Sequence, residues 1–266
     1  MRSAMTVRVV LLAVATGVSA ISPGHAAGPG CPPDSVASGG ACIDTYEASV
    51  WETTDPKLVV KIRAGIATVT DLLNGGAIQH GALGNDYGPG CPDTGSGCKD
   101  FYAVSVAGVV PARFITWFQA VATARNAGKR LPTNAEWQAA ALGTPDPGTD
   151  DGTTDCNITP TTGPVPTGTR GGCISDIGAF DLVGNVHEWV ASWLPRAASC
   201  IPALFPDTGD INCTNGVTLD SGPGAVVRGG SFIEASVDAK FPGVFSVRSR
   251  ELPPSTFGNI GFRGIR

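Results

Sequence analysis

The sequence predicts an irregular α+β fold, in which short strands and long loops are held by disulfide bonds around a few helices. Glycine and proline number 36 and 21 among 266 residues, and this abundance interrupts long regular elements. Eight cysteines are present, and an even number favours a disulfide framework. The hydrophobic fraction of 42% is enough to form a core. A coiled coil, a helical bundle and a disordered polyelectrolyte are therefore excluded.

Two main helices are predicted in the middle of the chain. The first spans about residues 117–127, because apolar residues recur at i, i+3, i+4 and i+7 between a Thr116 N-cap and a Gly128 stop. The second begins at a capping box formed by Thr133 and Glu136 and ends at Gly143, and its buried face is marked by Trp137, Ala140 and Ala141.

The remaining elements are expected to be short. Residues 74–100 and 143–172 are rich in Gly, Pro, Thr and Asp, which predicts extended loops. Short apolar stretches between the loops predict strands at residues 58–62, 101–106, 225–227 and 244–247.

The first 26 residues predict an export signal. Arg2 and Arg8 give a positive start, residues 9–20 form an apolar run too short for a stable anchor, and residues 24–26 offer a cleavage site. The alternative is a buried strand or helix. No later stretch approaches the length of a membrane span. We therefore expect a mature chain of residues 27–266 that is periplasmic or secreted, without stable membrane insertion.

All eight cysteines follow the predicted signal and form four pairs of close neighbours in sequence. Export to an oxidising compartment favours disulfides, and we predict sequential pairing, although eight cysteines permit 105 connectivities. Zinc is the competing use, but the chain has no C-x-x-C motif, and only His80 and His187 follow the signal. The predicted pairs are Cys31 with Cys42, Cys91 with Cys98, Cys156 with Cys173, and Cys200 with Cys213.

Several sequence blocks resemble signatures of the formylglycine-generating enzyme, or sulfatase-modifying factor, family. They occur in the family's order, and the resemblance spans about residues 41–263, with a poor match at 52–100. The blocks are CIDTYE at 42–47 (similar to the opening IDxYEVT), KRLPTNAEW at 129–137 (KRLPTEAEWE), DLVGNVHEWV at 181–190 (DMVGNVWEW), VRGGSF at 227–232 (RGGSW) and NIGFR at 259–263 (the terminal GFR).

The resemblance implies a single domain with a C-type-lectin-like fold and little regular structure. In such a fold, we expect Arg130 and Arg263 to be structural hydrogen-bond donors to carbonyls and carboxylates. Trp137 and Trp189 are expected to be core residues, not ligand-stacking residues.

The resemblance also implies a calcium site in the 181–190 block. The family binds the ion through side-chain and main-chain oxygens, which suit calcium; the alternative is a solvated acidic turn without an ion. A second family site is weaker here, because Asn157 and Ile158 resemble its first ligands but the acidic stretch that should follow is missing. The positions that match the first site are Asp181, Gly184, Val186 and Glu188.

The catalytic cysteines of the family are missing from this sequence. Formylglycine-generating enzymes bind Cu(I) through two cysteines that lie five residues apart, shortly after the GGS block, because thiolates suit this soft ion. The resemblance therefore implies where such a pair would stand in this sequence. Here Glu234 stands at the first position, Ala239 or Lys240 stands at the second, and no cysteine follows Cys213. We therefore expect no copper and no conversion of a sulfatase cysteine to formylglycine.

Two functions from different classes remain. The first is an exported, calcium-stabilised pseudoenzyme, a binding or maturation-accessory protein of the cell envelope, with residues 232–255 as a recognition loop. Its partner would be a protein, a glycan or an envelope ligand, and the chain would be monomeric; the net charge of −5 argues against nucleic acid. The alternative is an oxidoreductase of the superfamily acting on a protein or siderophore-type substrate, with Glu234 as acid or base, unless Glu234 is merely an exposed loop carboxylate.

Overall fold

The computed structural model of the protein describes six ranges of the chain: residues 30–146, 150–159, 163–202, 209–218, 222–233 and 241–266. The predicted export signal and the candidate Glu234 lie outside the described residues, as do Ala239 and Lys240. All eight cysteines lie within them.

The described ranges contain four helices, two of which match the helices predicted from sequence. Thr116 accepts a hydrogen bond from the Gln119 backbone N–H at 3.1 Å, and Thr133 accepts one from Glu136 at 3.2 Å. Both helices therefore begin at the predicted N-caps. The helices are α1 (Pro56–Arg63), α2 (Val69–Asn74), α3 (Trp117–Asn126) and α4 (Asn134–Ala140).

The strand predicted at residues 58–62 is wrong, because this stretch lies in α1. Asp55 caps the helix by accepting from the Lys57 N–H at 2.9 Å, and Pro56 occupies the first turn, where its missing N–H costs nothing. Leu58 and Ile62 are both buried at an i, i+4 spacing, so the apolar period is helical.

The strands of the described ranges form three small sheets. A hairpin pairs β1 (Ser35–Ser38) with β2 (Ala41–Asp44). A three-stranded sheet has the order β4-β3-β5, from β3 (Ala48–Glu52), β4 (Ile78–His80) and β5 (Phe101–Ser105). A six-stranded sheet has the order β11-β6-β9-β10-β8-β7. Its strands are β6 (His187–Pro195), β7 (Ser199–Pro202), β8 (Ile211–Asn215), β9 (Pro223–Arg228), β10 (Val247–Glu251) and β11 (Ile260–Phe262).

The strands predicted at 101–106 and 225–227 are confirmed as β5 and β9. The prediction at 244–247 is wrong except for its last residue, because β10 begins only at Val247. The residues before it form a turn in which the Ser246 N–H donates to the Gly243 carbonyl at 3.0 Å.

The irregular α+β class and the disulfide-stapled loops are confirmed. Four disulfides join the cysteines in the sequential order that their spacing suggests. Trp137 and Trp189 are both 0% exposed, so their predicted place in the core is also confirmed. None of the helices in the described ranges combines the length and the apolar character needed to cross a membrane.

Candidate functional site

Residues 181–188 form a tightly curled loop whose last two residues, His187 and Glu188, begin β6. Asp181 and Asn185 have positive φ angles of 59° and 51°, which are uncommon for residues other than glycine. Asp181 Oδ2 accepts hydrogen bonds from Thr167 Oγ1 at 2.9 Å and from the Gly168 N–H at 2.7 Å. The carboxylates at both ends of the loop are 1% exposed, so this acidic turn is buried and not solvated.

Asn157 and Ile158 pack against this loop. A Cβ added to Gly184 would lie 2.4 Å from the Asn157 carbonyl oxygen and 2.8 Å from the Ile158 side chain, so the contact requires glycine. The Asn185 N–H donates to the same carbonyl at 2.7 Å, and Asn157 Nδ2 donates to Asn185 Oδ1 at 3.0 Å. The structure therefore places the two sets of calcium ligands predicted from sequence next to each other, the set at 181–188 and the weaker pair Asn157 and Ile158.

Glu188 forms a buried ion pair with Arg263. Arg263 donates to Glu188 Oε1 from Nε at 2.8 Å and from Nη2 at 2.6 Å. Trp137 Nε1 donates to Glu188 Oε2 at 2.6 Å. The same guanidinium also donates to the carbonyl oxygens of Asp44 and Phe180. The predicted structural role of Arg263 is confirmed, and it links the first, third and last family-like blocks.

Glu47 adds a third buried carboxylate to this site. It accepts from Asn185 Nδ2 at 2.5 Å and from the Val186 N–H at 3.1 Å. Burial raises the pKa of Glu47 well above its usual range, and the nearby charges of Asp181 and Glu188 raise it further. Burial also raises the pKa of Asp181 to about 6. When all three carboxylates are ionised, their charge exceeds that of the guanidinium between them.

The site contains oxygen donors of the kind that calcium takes, while both Glu188 oxygens already accept from Arg263 and Trp137. Carboxylate and main-chain oxygens are the ligands that calcium takes, and a buried excess of negative charge is costly unless a cation offsets it. No group of three or more His, Cys, Asp or Glu side chains in the described part of the chain is arranged to hold a metal. Main-chain oxygens, as expected at Gly184 and Val186, would therefore have to complete the shell. The calcium site stays a prediction.

Arg228 anchors the 227–232 block to α4. Its Nη1 donates to Asn134 Oδ1 at 2.5 Å, its Nε donates to the Ser246 carbonyl at 2.7 Å, and its guanidinium lies 4.5 Å from the centre of the Trp137 ring. Burial lowers the pKa of Arg228 to about 10, so it remains charged at neutral pH. This block therefore has a structural role in the described residues.

The chain forms a cavity of about 530 Å³ beside the first residue of β6. Successive residues of a strand face opposite sides, so His187 lines the cavity while Glu188 faces Arg263. Apolar and polar side chains share the wall, which suits a ligand with both characters. The lining residues are His187, Cys200, Ile211, Ile233, Phe241, Arg248, Arg250, Glu251, Phe257, Asn259 and Ile260.

Arg248 organises the polar side of the cavity. Its Nη1 lies 3.1 Å from His187 Nε2, and its Nη2 donates to Glu251 Oε1 at 3.2 Å. Because arginine can only donate, His187 Nε2 is the acceptor in this contact. Glu251 offsets the charge of Arg248, and Arg250 adds a second cation to the wall. The cavity can therefore hold an anionic or a polar group next to apolar surface.

The sequence model described as the sulfatase-modifying factor enzyme 1-like domain matches residues 84–266. The chain belongs to the sulfatase-modifying factor family. It is 31% identical over 176 residues to the formylglycine-generating enzyme of Streptomyces coelicolor, and 35% identical over 179 residues to that of Thermomonospora curvata. Each alignment covers 58% of this chain, and 51% and 54% of the two relatives. The chain thus spans about half the length of the curated relatives it matches.

Among solved structures, similar chains include the Major Tropism Determinant I1 Variant, with a TM-score of 0.49, 19% identity, and coverage of 88% of this chain and 52% of that one. Treponema denticola variable protein 1 has a TM-score of 0.41 and 20% identity, and the alignment covers 58% of this chain and 70% of that one.

This sulfatase-modifying factor family member has no free cysteine. All eight cysteines of the sequence are joined in the four disulfides, and the described residues contain no other cysteine. A thiolate pair for Cu(I) would require at least one of these disulfides to be reduced. The chain as folded therefore presents no thiolate.

Sequence reasoning missed two members of these sites, Glu47 and Arg248. Glu47 lies in the opening family-like block, and its acidic side chain next to apolar residues was a usable signal. Arg248 carries no local signal, because only the pairing of β7, β8 and β10 brings it to one cavity with Cys200, which the sequence predicts as a disulfide partner but not as a cavity residue. Glu234 itself lies outside the described residues.

Proposed function

We propose that this sulfatase-modifying factor family member is an exported, calcium-stabilised binding or maturation-accessory protein of the cell envelope, and that it does not oxidise cysteine to formylglycine. The observation that carries the proposal is the absence of free thiols. Every cysteine forms a disulfide, and the positions that match the copper pair hold Glu234 and Ala239 or Lys240. Four disulfides are typical of proteins in oxidising compartments, which supports export.

The cavity supports a binding role. Its walls combine Ile211, Phe257 and Ile260 with the cations Arg248 and Arg250. This arrangement favours an apolar ligand, or a protein segment, that carries a carboxylate or another anionic group. The partner would be a protein or an envelope ligand of that chemistry.

The proposed loss of copper chemistry predicts that the protein does not bind Cu(I) with the affinity of a site formed by two cysteine thiolates. It also predicts that the protein consumes no oxygen in the presence of a cysteine-containing peptide. The measurement is Cu(I) titration against a competing chelator, together with an oxygen electrode. The matched variant carries Glu234→Cys and Ala239→Cys, and we expect it to gain Cu(I) binding. Oxygen consumption by the unsubstituted protein would overturn the proposal; loss of that activity in Glu234→Gln would favour the oxidoreductase alternative.

Calcium is expected to stabilise the folded chain. A ligand that binds only the native state at a concentration of 100 times its Kd adds about 2.7 kcal/mol, so chelation with EGTA should lower the Tm by several degrees. Asp181→Ala removes the side-chain oxygen donor and should abolish this response. Asp93→Ala, at an exposed loop position, is the control and should retain it. A Tm that is the same in EGTA and in millimolar calcium would show that the site does not bind the ion.

A further inference from the structure

The Cys200–Cys213 disulfide joins β7 to β8 at the edge of the six-stranded sheet. The strand register shifts between Ser199 and Ile201, so Cys200 lies at an irregularity of the edge strand. Cys213 is 0% exposed, whereas Cys200 is partly exposed and lines the cavity of about 530 Å³. A ligand in the cavity can therefore reach one sulfur of this disulfide and not the other.

A guanidinium lies against the accessible sulfur. Arg250 Nη1 donates to Cys200 Sγ at 3.5 Å, and Arg250 and Arg248 both line the same cavity. A neighbouring cation stabilises a thiolate over a thiol. Reduced Cys200 would therefore be held as a reactive anion, and a thiolate approaching the disulfide would meet the Arg250 guanidinium.

The other disulfides differ in one or both respects. Cys91, Cys98, Cys156 and Cys173 are each at most 5% exposed, which protects them from attack. The Cys31–Cys42 disulfide is partly exposed; within the described contacts, neither of its sulfurs accepts from a cationic side chain. Access and a positive environment are the two features that mark a labile disulfide, and Cys200–Cys213 has both.

We propose that Cys200–Cys213 is a thiol–disulfide exchange site that oxidises a dithiol, in a protein or a small molecule, bound in this cavity. The inference goes beyond the binding role proposed above and does not depend on calcium. It would give the maturation-accessory role a chemical activity that uses neither copper nor oxygen.

The Cys200–Cys213 disulfide is itself the oxidant in this exchange. A substrate thiolate attacks Cys200 Sγ, a new S–S bond forms, and the Cys200–Cys213 bond breaks. The electron pair leaves with Cys213 Sγ, which takes up a proton. The second substrate thiolate attacks the substrate sulfur of the mixed disulfide and releases Cys200 as a thiolate beside Arg250. The substrate dithiol loses two electrons and two protons; Cys213 takes one proton, solvent takes the other, and the protein is left with a Cys213 thiol and a Cys200 thiolate.

The first experiment measures selective reduction of the full chain. The protein is exposed to reduced glutathione under native conditions, quenched with N-ethylmaleimide, and mapped by mass spectrometry. We expect Cys200 and Cys213 to be labelled at least about tenfold faster than the other six cysteines, as access and local charge control exchange rates. Reduction of all four disulfides at similar rates, or faster reduction of Cys31–Cys42, would overturn the proposal.

Two variants test the roles of the sulfurs and of the cation. Cys213→Ser leaves Cys200 without its partner, and we expect oxidised glutathione to form one stable mixed disulfide at Cys200; no adduct would contradict the assignment. Arg250→Gln should slow reduction of Cys200–Cys213 several-fold at neutral pH, while Arg125→Gln, on α3, should not. Equal rates in the two arginine variants would also contradict the proposal. The glutathione map of the unsubstituted protein decides the matter if Cys213→Ser does not fold.

Discussion

Replacing Arg263 with alanine is expected to lower the free energy of unfolding by about 3–5 kcal/mol, because it leaves the buried Glu188 carboxylate without its cation. The loss also removes the hydrogen bonds to the carbonyl oxygens of Asp44 and Phe180. Urea unfolding, followed by tryptophan fluorescence with the disulfides intact, measures the effect. Because the Trp137 indole donates to the same carboxylate, its fluorescence reports on the site directly.

Arg130→Ala is the matched control. Arg130 also pairs with a glutamate, Glu136, at 2.6 Å, but its side chain is 53% exposed. Solvent screens such a pair, so the expected loss is below about 1 kcal/mol. If the two alanine variants unfold at the same urea concentration, the Arg263–Glu188 pair is not the buried structural link described above.

Gly184→Ala is expected to cost about 3 kcal/mol, the second largest effect. The backbone there has a φ of 75°, which an alanine adopts at a cost of about 1–2 kcal/mol. The added Cβ would also lie 2.4 Å from the Asn157 carbonyl oxygen, so the loop at 181–188 would have to move away from Asn157. Thermal unfolding of the purified variant measures the change.

Gly128→Ala separates the two contributions. Gly128 has nearly the same φ of 73°, but an added Cβ meets nothing within 4 Å. We expect its loss to be about 1 kcal/mol, the conformational cost alone. Equal losses at the two positions would mean that the contact between the loop and Asn157 does not constrain the fold.

The sequence predicts those parts of the fold that depend on local chemistry. The N-caps at Thr116 and Thr133 are local signals, and both helices begin there. The strand prediction at 58–62 is wrong, because five residues with few polar side chains do not distinguish a period of 2 from a period of 3.6. The helix start is indicated by Asp55, which is the N-cap, and by the proline that follows it.

The candidate site was only partly predictable from sequence, because most of its contacts join residues that are far apart in the chain. Asp181 and Glu188 lie within seven residues of each other, so a family-like block identifies them together. The ion pair between Glu188 and Arg263 joins residues 75 positions apart, and the contact of Glu47 with Asn185 spans 138 positions. Such contacts follow from the tertiary fold, and neither periodicity nor spacing encodes them.

The last seven described residues, 260–266, join the first strands of the fold to the middle of the chain. Ile265 bridges to Ile43 and to Arg130, and Arg266 donates to Asp34 at 2.8 Å. Within them, β11 pairs with β6 in parallel, an arrangement that forms slowly because its partners are distant in sequence. The contacts with Ile43, Arg130 and Asp34 therefore form only after residues 260–266 have been synthesised.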